Sequence, residues 1–204
     1  MTYIYKYSLA TDSGLAPCVE NGLLSLACCK GGRKNGIKTG IRYWIGRRNK
    51  AGDYKTDKIY VLGMYHGKFL YIARITDVVP MIEYHAVGSC YKGRNDDIYD
   101  VKNGKLIRNN KHVKDKVHTD SDQQIRDKTG FYVLLSTDYV YLGRDARKDA
   151  YIWGNVPKSS VSRPLSSKDN DVVDKIIEAC WKYNDGNQHR PTSPIGECSK
   201  GCYS

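Results

Sequence analysis

The sequence lacks an apolar run close to the roughly 20 residues that a membrane-spanning helix requires. It also has little phenylalanine, since 2 Phe and 3 Trp stand against 17 Tyr in a chain of 204 residues. A tyrosine ring packs like that of phenylalanine, but its hydroxyl needs a polar partner when it is buried. These absences argue against a helical membrane protein and favour half-buried strands and polar grooves.

Familiar catalytic motifs are also missing. The chain has no Walker phosphate loop and no GxGxxG, HExxH or GxSxG motif, which excludes the enzyme classes that depend on them. Weak catalytic candidates remain in Asp12, Cys29 and His118. Asp12 is either a turn residue or an acceptor for a base amino group, and Cys29 is either a small buried side chain or a nucleophile. His118 lies close to Asp120 and Asp122 and could form an acid–base pair.

Acidic residues are absent from one long segment. None occurs between Glu20 and Asp53, a segment rich in cations within a chain of net charge +11. Lysine and arginine displace counterions from phosphates, so such a segment favours a polyanionic partner. The predicted phosphate-binding residues are Lys30, Arg33, Lys34, Lys38, Arg42, Arg47 and Arg48.

Two aromatic residues, Tyr43 and Trp44, lie among these cations. Flat rings stack on bases, and guanidinium groups pair with phosphate oxygens. We therefore predict base stacking by Tyr43 and Trp44, with DNA or a nucleotide as the partner. A solvated basic face, with Trp44 in the core, is the alternative that the sequence leaves open.

The chain has 7 cysteines, an odd number. From Met1 it passes directly into a strand-like pattern rather than a signal peptide, so we expect a cytoplasmic protein with free thiols. Cys198 and Cys202 lie near His189, but the spacing is loose and a fourth zinc ligand is not obvious. We predict neither a metal nor a cofactor.

Periodic patterns predict the secondary structure. Strands are expected over residues 3–9, 41–46, 59–64, 69–75, 131–135 and 139–142. A tight turn at His66 and Gly67 joins the strands on either side of it, and residues 136–138 join the last two strands as a hairpin. Helices are expected after Pro17, where Leu23, Leu24, Ala27 and Cys28 recur at helical spacing, and over residues 80–87 and 169–183. Residues 88–128 and 144–168 lack periodicity and are expected to be loops.

Strands dominate, and strands and helices do not alternate strictly, which argues against a doubly wound parallel sheet. We predict an α+β fold in which helices cover a small mixed β-barrel. The expected organisation is a core over residues 1–145, a C-terminal loop and helix over 146–184 packed on the core, and a loose tail over 185–204.

Residues 10–34, ATDSGLAPCVENGLLSLACCKGGRK, resemble the opening of the second of the numbered nucleotide modification associated domain families. The shared pattern is D-x-G-x-A-P, then G-x-x-x-L-A-x-C-K and a basic residue. It falls on Asp12, Gly14, Ala16, Pro17, Gly22, Leu26, Ala27, Cys29, Lys30 and Arg33. Later pieces follow in the same order, among them YWIG at 43–46 and DKTGFYVLLSTDYVYLG at 127–143, so the similarity covers residues 3–145. The tail beyond Gly143 has no counterpart in the pattern.

Members of this family look like companions of phage and bacterial systems that make or handle modified DNA bases. The order of elements is also similar to PUA-like barrels, including the EVE and YTH modules, which hold a flipped base in an aromatic pocket beside a basic groove. The resemblance therefore implies a PUA-like barrel in the cytoplasm of a bacterium or of a phage host.

Three functions are compatible with the sequence. The first is binding of nucleic acid or a nucleotide, to recognise or handle a modified base. The second is an enzyme that modifies a base or nucleotide, with two of Asp12, Cys29, Lys30 and His118 meeting in one cleft. The third is a phage-encoded inhibitor, which would bind a signalling nucleotide or a host defence protein as partner.

Overall fold

The structure is a computed structural model and describes residues 1–29, 31, 33–34, 37–38, 40–50, 57–114, 116, 118–155, 164–166 and 171–183. Its strands are β1 (Thr2–Leu9), β2 (Cys18–Glu20), β3 (Leu23–Leu26), β4 (Arg33–Lys34), β5 (Ile37–Lys38), β6 (Lys58–Tyr65), β7 (Lys68–Arg74), β8 (Asp77–Pro80), β9 (Tyr99–Lys102), β10 (Lys105–Arg108), β11 (Tyr132–Ser136), β12 (Asp138–Tyr141) and β13 (Leu165–Ser166). Its helices are α1 (Ile41–Lys50), α2 (Met81–Tyr84), α3 (Ser121–Lys128), α4 (Ala150–Asn155) and α5 (Val172–Trp181), and Gly143–Asp145 form a 3-10 turn.

Two sheets organise these elements. The larger has the strand order β12-β7-β6-β1-β13, and the second has the order β2-β3-β11-β8. β1 and β6 run parallel over their whole length, whereas the other pairings are antiparallel. Two further two-stranded sheets pair β4 with β5 and β9 with β10.

Both faces of the five-stranded sheet are buried, because alternate residues of each strand point to opposite sides. Tyr5 and Tyr7 of β1 pack in an apolar cluster with Leu24 and Leu26 of the second sheet. Ile4 of β1 instead joins a second cluster that includes buried residues of α4 and α5. Among the described residues, every helix is too short or too polar to serve as a membrane span.

The predicted barrel is not confirmed, because the described residues form separate sheets rather than one closed sheet. The predicted hairpin over residues 131–142 is also wrong, because its two strands belong to different sheets. Both strands form, but β11 pairs with β3 and β8 in one sheet, whereas β12 pairs with β7 in the other. Residues 136–138 therefore cross from sheet to sheet.

The helix predicted after Pro17 is a β-hairpin formed by β2 and β3. Asn21 and Gly22 both adopt positive φ, 52° and 73°, which is the geometry that Asn-Gly favours in a two-residue hairpin turn. Leu24 and Leu26 of β3 then pair with residues of β11. Long-range pairing and this turn outweigh the helical spacing of the apolar residues.

The strand predicted over residues 41–46 is part of helix α1. Its aromatic and β-branched residues suggested a strand, but Ile41 and Ile45 are both fully buried at the i, i+4 spacing of a helix face;. The two predicted loops also contain regular structure: β9, β10 and α3 in the first, and α4 and β13 in the second.

The remaining elements are confirmed. β1, β6 and β7 occupy the predicted ranges, with the turn at His66 and Gly67 between the last two. α2 and α5 lie inside the ranges predicted for helices. The predicted tail over residues 185–204, which includes His189, Cys198 and Cys202, lies outside the described residues.

Candidate functional site

Three buried side chains, Cys29, His118 and Asp127, form a polar relay that we name the Cys29 centre. Cys29 Sγ lies 3.4 Å from His118 Nε2, and His118 Nδ1 lies 2.7 Å from Asp127 Oδ2. The three residues are 0%, 1% and 0% exposed, respectively. A thiol, an imidazole and a carboxylate in this order form the arrangement by which thiol enzymes activate sulfur.

β3 and α3 bring the relay together. Cys29 follows the end of β3, His118 precedes α3, and Asp127 lies in the last turn of that helix. The backbone N–H of Cys29 donates to Asp127 Oδ1 over 2.7 Å. Asp127 therefore holds the backbone of the cysteine with one oxygen and the histidine ring with the other, which fixes the thiol relative to the imidazole.

Cys29 and His118 both adopt a left-handed backbone, with φ of 54° and 53°. Such a conformation costs about 1–3 kcal/mol for a residue with a side chain and is concentrated at functional sites. Arg42 helps to enforce it, because its guanidinium donates to Cys29 O over 2.7 Å and to Asp127 O over 3.0 Å. The left-handed backbone thus occurs at both residues that meet in the 3.4 Å contact of Sγ with Nε2.

The electrostatics keep Asp127 ionised. Burial alone would raise the pKa of Asp127, but the close contact with His118 and the charges of His118 and Arg42 outweigh burial and lower it. Tyr99 also donates to Asp127 Oδ2 over 2.7 Å. Burial, and then the charge of Asp127, raise the pKa of Tyr99 well above its ordinary value. At neutral pH Tyr99 is thus a neutral donor to a carboxylate.

Asp12, the third catalytic candidate, lies in the same buried region. Tyr141 donates to Asp12 Oδ2 over 2.7 Å, and the hydroxyls of Tyr7 and Tyr71 are 2.5 Å apart. Burial and Tyr71 raise the pKa of Tyr7, and the nearby Cys29 and Asp12 raise it further. Tyr7 is thus coupled electrostatically to Cys29 and to Asp12.

The same region could hold a metal ion. Sulfur atoms of Cys28 and Cys29 and a ring nitrogen of His118 all lie within 4.8 Å of one another. Two sulfurs and one imidazole suit zinc and would leave a fourth position open. Asp127 on the other ring nitrogen is the kind of partner that metal-bound histidines usually have.

Over residues 1–194 the chain matches the family described as nucleotide modification associated domain 2. The chain belongs to this family. No curated protein and no solved structure matches it, and the PUA-like resemblance is not confirmed. Membership of the nucleotide modification associated domain 2 family places the protein in the context of nucleotide or DNA modification.

In this nucleotide modification associated domain the predicted phosphate-binding cations differ in location. Arg42 is fully buried, and besides the two carbonyls of the Cys29 centre it donates to Tyr132 O over 2.7 Å. It lies inside the protein, so its observed contacts are those of a positioning residue. Arg47 is exposed, whereas Arg48 is half-buried and donates to Tyr5 Oη over 3.3 Å.

The structure describes no side chain for the other cations that were predicted to bind phosphate. Lys30 lies outside the described residues, and for Arg33, Lys34 and Lys38 the structure describes the backbone alone, in β4 and β5.

The two predicted stacking residues lie side by side on α1. Tyr43 and Trp44 are half-buried, with ring centroids 5.6 Å apart. Tyr43 also lies 6.1 Å from the ring of Phe131, which is 45% exposed. Phe131 lines a neighbouring groove, so the aromatic surface extends beyond the two residues that the sequence indicated.

Sequence reasoning missed Asp127, Tyr99 and Phe131. A signal was available for all three, because each lies in a segment that resembles the family: Tyr99 in DDIYDV at 96–101, and Asp127 and Phe131 in the segment 127–143. Their roles carried no signal, since only the fold brings the Tyr99 hydroxyl to Asp127.

Proposed function

We propose that this protein binds a nucleotide or a nucleic-acid base and modifies it through a transient covalent bond to Cys29. The observation that carries the proposal is the relay of Cys29, His118 and Asp127, with its separations of 3.4 Å and 2.7 Å. Membership of the nucleotide modification associated domain 2 family supports the substrate class.

Each member of the relay has one role. His118 Nε2 takes the thiol proton as Cys29 Sγ attacks an electrophilic carbon of the base, and Asp127 positions the imidazole and stabilises its charge. In a pyrimidine that carbon is C6. The new S–C6 bond moves the π electrons towards C5, which then takes up a proton.

Asp12 supplies a second polar contact in this proposal. Its carboxylate is held by Tyr141 at 2.7 Å and can accept a hydrogen bond from an exocyclic amino group of a base. A carboxylate and three tyrosine hydroxyls in one buried region are costly unless they serve a polar ligand or one another.

A first experiment measures the reactivity of Cys29 by site-resolved mass spectrometry after treatment with iodoacetamide. Cys18 and Cys180 are buried thiols whose pKa burial raises, and they serve as internal references. We expect Cys29 to react more than about tenfold faster than either, because a relay generates thiolate in the folded protein.

The matched variants are His118→Asn and His112→Asn. Both histidines have positive φ, 53° and 59°, which asparagine tolerates, but His112 contacts Asn95 O rather than Cys29. His118→Asn should reduce the Cys29 rate to that of Cys18, and His112→Asn should not. Equal rates for Cys29 and Cys18 in all three proteins would refute the relay.

A second experiment tests the chemistry on pyrimidines. Reversible addition of Cys29 to C6 places a solvent deuteron on C5, and loss of the original proton followed by release of the sulfur completes the exchange without a further reagent. Proton NMR in deuterium oxide should show loss of the H5 signal of a cytosine nucleotide or oligonucleotide. The exchange should vanish in Cys29→Ser, and a protein that binds the oligonucleotide without exchange would be a reader only.

A zinc-dependent enzyme is the second candidate, favoured by the ligand atoms of Cys28, Cys29 and His118 within 4.8 Å. Elemental analysis of the purified protein separates the two. About one zinc per chain, lost in Cys28→Ser and in Cys29→Ser alike, would favour metal chemistry. A metal-free protein with a reactive Cys29 favours the nucleophile.

A further inference from the structure

We infer that a surface groove beside Phe131 is a nucleotide subsite that holds one base of a nucleic-acid strand, next to the reacting base. The groove, which we name the Phe131 groove, has a volume of about 530 Å³. Its lining residues are Pro80, Met81, Ile82, Lys105, Leu106, Lys128, Phe131 and Tyr132. The inference takes its class of ligand from the proposed function, but it concerns binding rather than chemistry.

The size and lining of the Phe131 groove fit a base. Ligand sites have volumes of about 300–1,000 Å³ and combine apolar and aromatic walls with a few polar groups. Phe131 and Ile82 are 45% and 46% exposed, so apolar surface is open to a ligand at this point. Base stacking on such a ring is tolerant of sequence, because every base has a flat π face.

Phe131 is held in this place by its backbone. Its φ is 58°, an outlier for a bulky residue. Its N–H donates to Lys128 O over 3.2 Å, and its carbonyl accepts from Met81 N–H over 2.8 Å. The fold thus keeps a strained backbone and leaves the ring exposed, a combination typical of a binding site rather than of a core.

The charges of the Phe131 groove fit the phosphate of the same nucleotide. Among the described residues, Lys105 and Lys128 are its charged lining residues, and none of its described lining residues is acidic. Glu83 of α2 is exposed next to Ile82 but is not part of the lining. Two ammonium groups beside an exposed ring form the usual arrangement for single-stranded nucleic acid, in which cations follow the backbone and rings stack on bases.

Met81 and Arg42 lie between the Phe131 groove and the Cys29 centre. Met81 lines the groove, and its sulfur lies 2.7 Å from Arg42 Nη2, while Arg42 Nη1 donates to Cys29 O. A base in the groove is therefore separated from Cys29 by two side chains. This spacing assigns the groove to a neighbouring nucleotide of a strand rather than to the base that reacts.

The test measures binding of a fluorescent oligothymidylate by anisotropy, in a Cys29→Ala background so that no covalent step contributes. Ile82→Glu places a negative charge in the Phe131 groove, whereas Ile82→Lys changes size similarly with the opposite sign. Val87→Glu adds the same charge at an exposed residue outside the groove. We expect roughly tenfold weaker binding for Ile82→Glu, and no loss for Ile82→Lys or Val87→Glu.

Four further variants test the ring and the lysines. Phe131→Ala should weaken binding roughly tenfold, and Phe131→Trp should retain it. Lys105→Gln and Lys128→Gln should each reduce the salt slope of log K by about 0.7 per lost phosphate contact, unlike Lys102→Gln on β9 outside the groove.

Thymidine monophosphate should compete more weakly than the oligonucleotide if a strand is the ligand, and equal competition would overturn the assignment to a strand.

The outcomes separate this inference from the proposed function. Unchanged affinity in both Ile82→Glu and Phe131→Ala overturns the subsite, whatever Cys29 does. Groove-dependent binding without any exchange at C5 in the wild-type protein supports the subsite and counts against the chemistry proposed for Cys29.

Discussion

At the residue scale, Asp127 connects the parts of the Cys29 centre. One carboxylate oxygen accepts from the backbone of Cys29, and the other lies 2.7 Å from both His118 Nδ1 and Tyr99 Oη. Its pKa is lowered because the close contact with His118 and the charges of His118 and Arg42 outweigh burial. Removing this charge should therefore affect both the stability of the fold and the reactivity of Cys29.

Asp127→Asn should lower the free energy of unfolding at about pH 7 by roughly 1–3 kcal/mol, because an amide cannot accept at both positions and leaves a buried donor unpaired. The stabilisation by the carboxylate is complete above its ordinary pKa of 3.8 and is lost as the pH falls through the lower folded-state value. The difference between wild type and variant should therefore shrink in acid. Urea unfolding in steps from about pH 7 to about pH 2 measures it.

Asp122→Asn is the control for this experiment, because it makes the same change at an exposed residue of the same helix. Its effect should stay below about 1 kcal/mol. An Asp127→Asn protein that matches Asp122→Asn in stability at every pH would show that the carboxylate does not hold the centre together.

The site was only partly predictable from single residues. Asp12, Cys29 and His118 could be named as candidates because a turn acid, a cysteine beside cations and a histidine beside acids are residue types that can carry chemistry. Asp127 could not be assigned, because Asp120 and Asp122 lie nearer to His118 in sequence. Asp120 instead caps α3 by accepting from Gln123 N–H, and the turns of that helix place Asp127 against the histidine.

At the element scale, Gly46 of α1 and Gly154 of α4 can be compared directly, because an added side chain would meet different surroundings at the two positions. An alanine Cβ at Gly46 would lie 2.2 Å from Tyr132 Cγ and 2.7 Å from Tyr132 Cβ, whereas one at Gly154 would meet nothing within 4 Å. Rotation of the tyrosine ring cannot relieve a contact with its own Cβ. The position of α1 against β11 therefore depends on the missing side chain of Gly46.

Gly46→Ala should lower the free energy of unfolding by about 1–3 kcal/mol through overpacking. Gly154→Ala should raise it by up to about 1 kcal/mol, because alanine favours a helix over glycine. Thermal unfolding of both variants measures the contrast. Since both gain helix propensity, shifts of the same sign would contradict the packing that the structure shows between α1 and β11.

Elements with a clear period were predictable, and those decided by long-range pairing were not. β1, β6, β7 and α5 alternate or recur over enough residues to specify their own conformation. β3 is too short for that, and its partner β11 lies far away in sequence. Helix α1 contains residues that favour strands, and its burial against β11 decides its conformation.

At the scale of the whole molecule, the five-stranded sheet separates two apolar clusters. Cys29 belongs to the cluster shared with the second sheet, whereas Ile176 of α5 belongs to the cluster on the opposite face. Truncation of Ile176 therefore changes global stability without removing any contact of the Cys29 centre. The two clusters allow the reactivity of the site to be measured apart from the unfolding of the protein.

Ile176→Ala should lower the free energy of unfolding by about 2–5 kcal/mol, as for other fully buried isoleucines. Ile177→Ala, which truncates a half-buried neighbour on the same helix, should lower it by less. Urea unfolding measures both values, and iodoacetamide labelling of the same proteins then gives the rates of Cys29 and Cys18.

The two labelling rates test whether Cys29 reacts in the folded or in the unfolded protein. A buried thiol that reacts only from the unfolded state is labelled in proportion to the unfolded population, so a loss of 2 kcal/mol accelerates it about thirtyfold. Cys18 should follow this rule. Cys29 should keep its rate within about twofold, because the relay activates it in the folded protein. If Ile176→Ala accelerates both cysteines equally, Cys29 is an inert core thiol, and the strained backbone around it serves folding rather than chemistry.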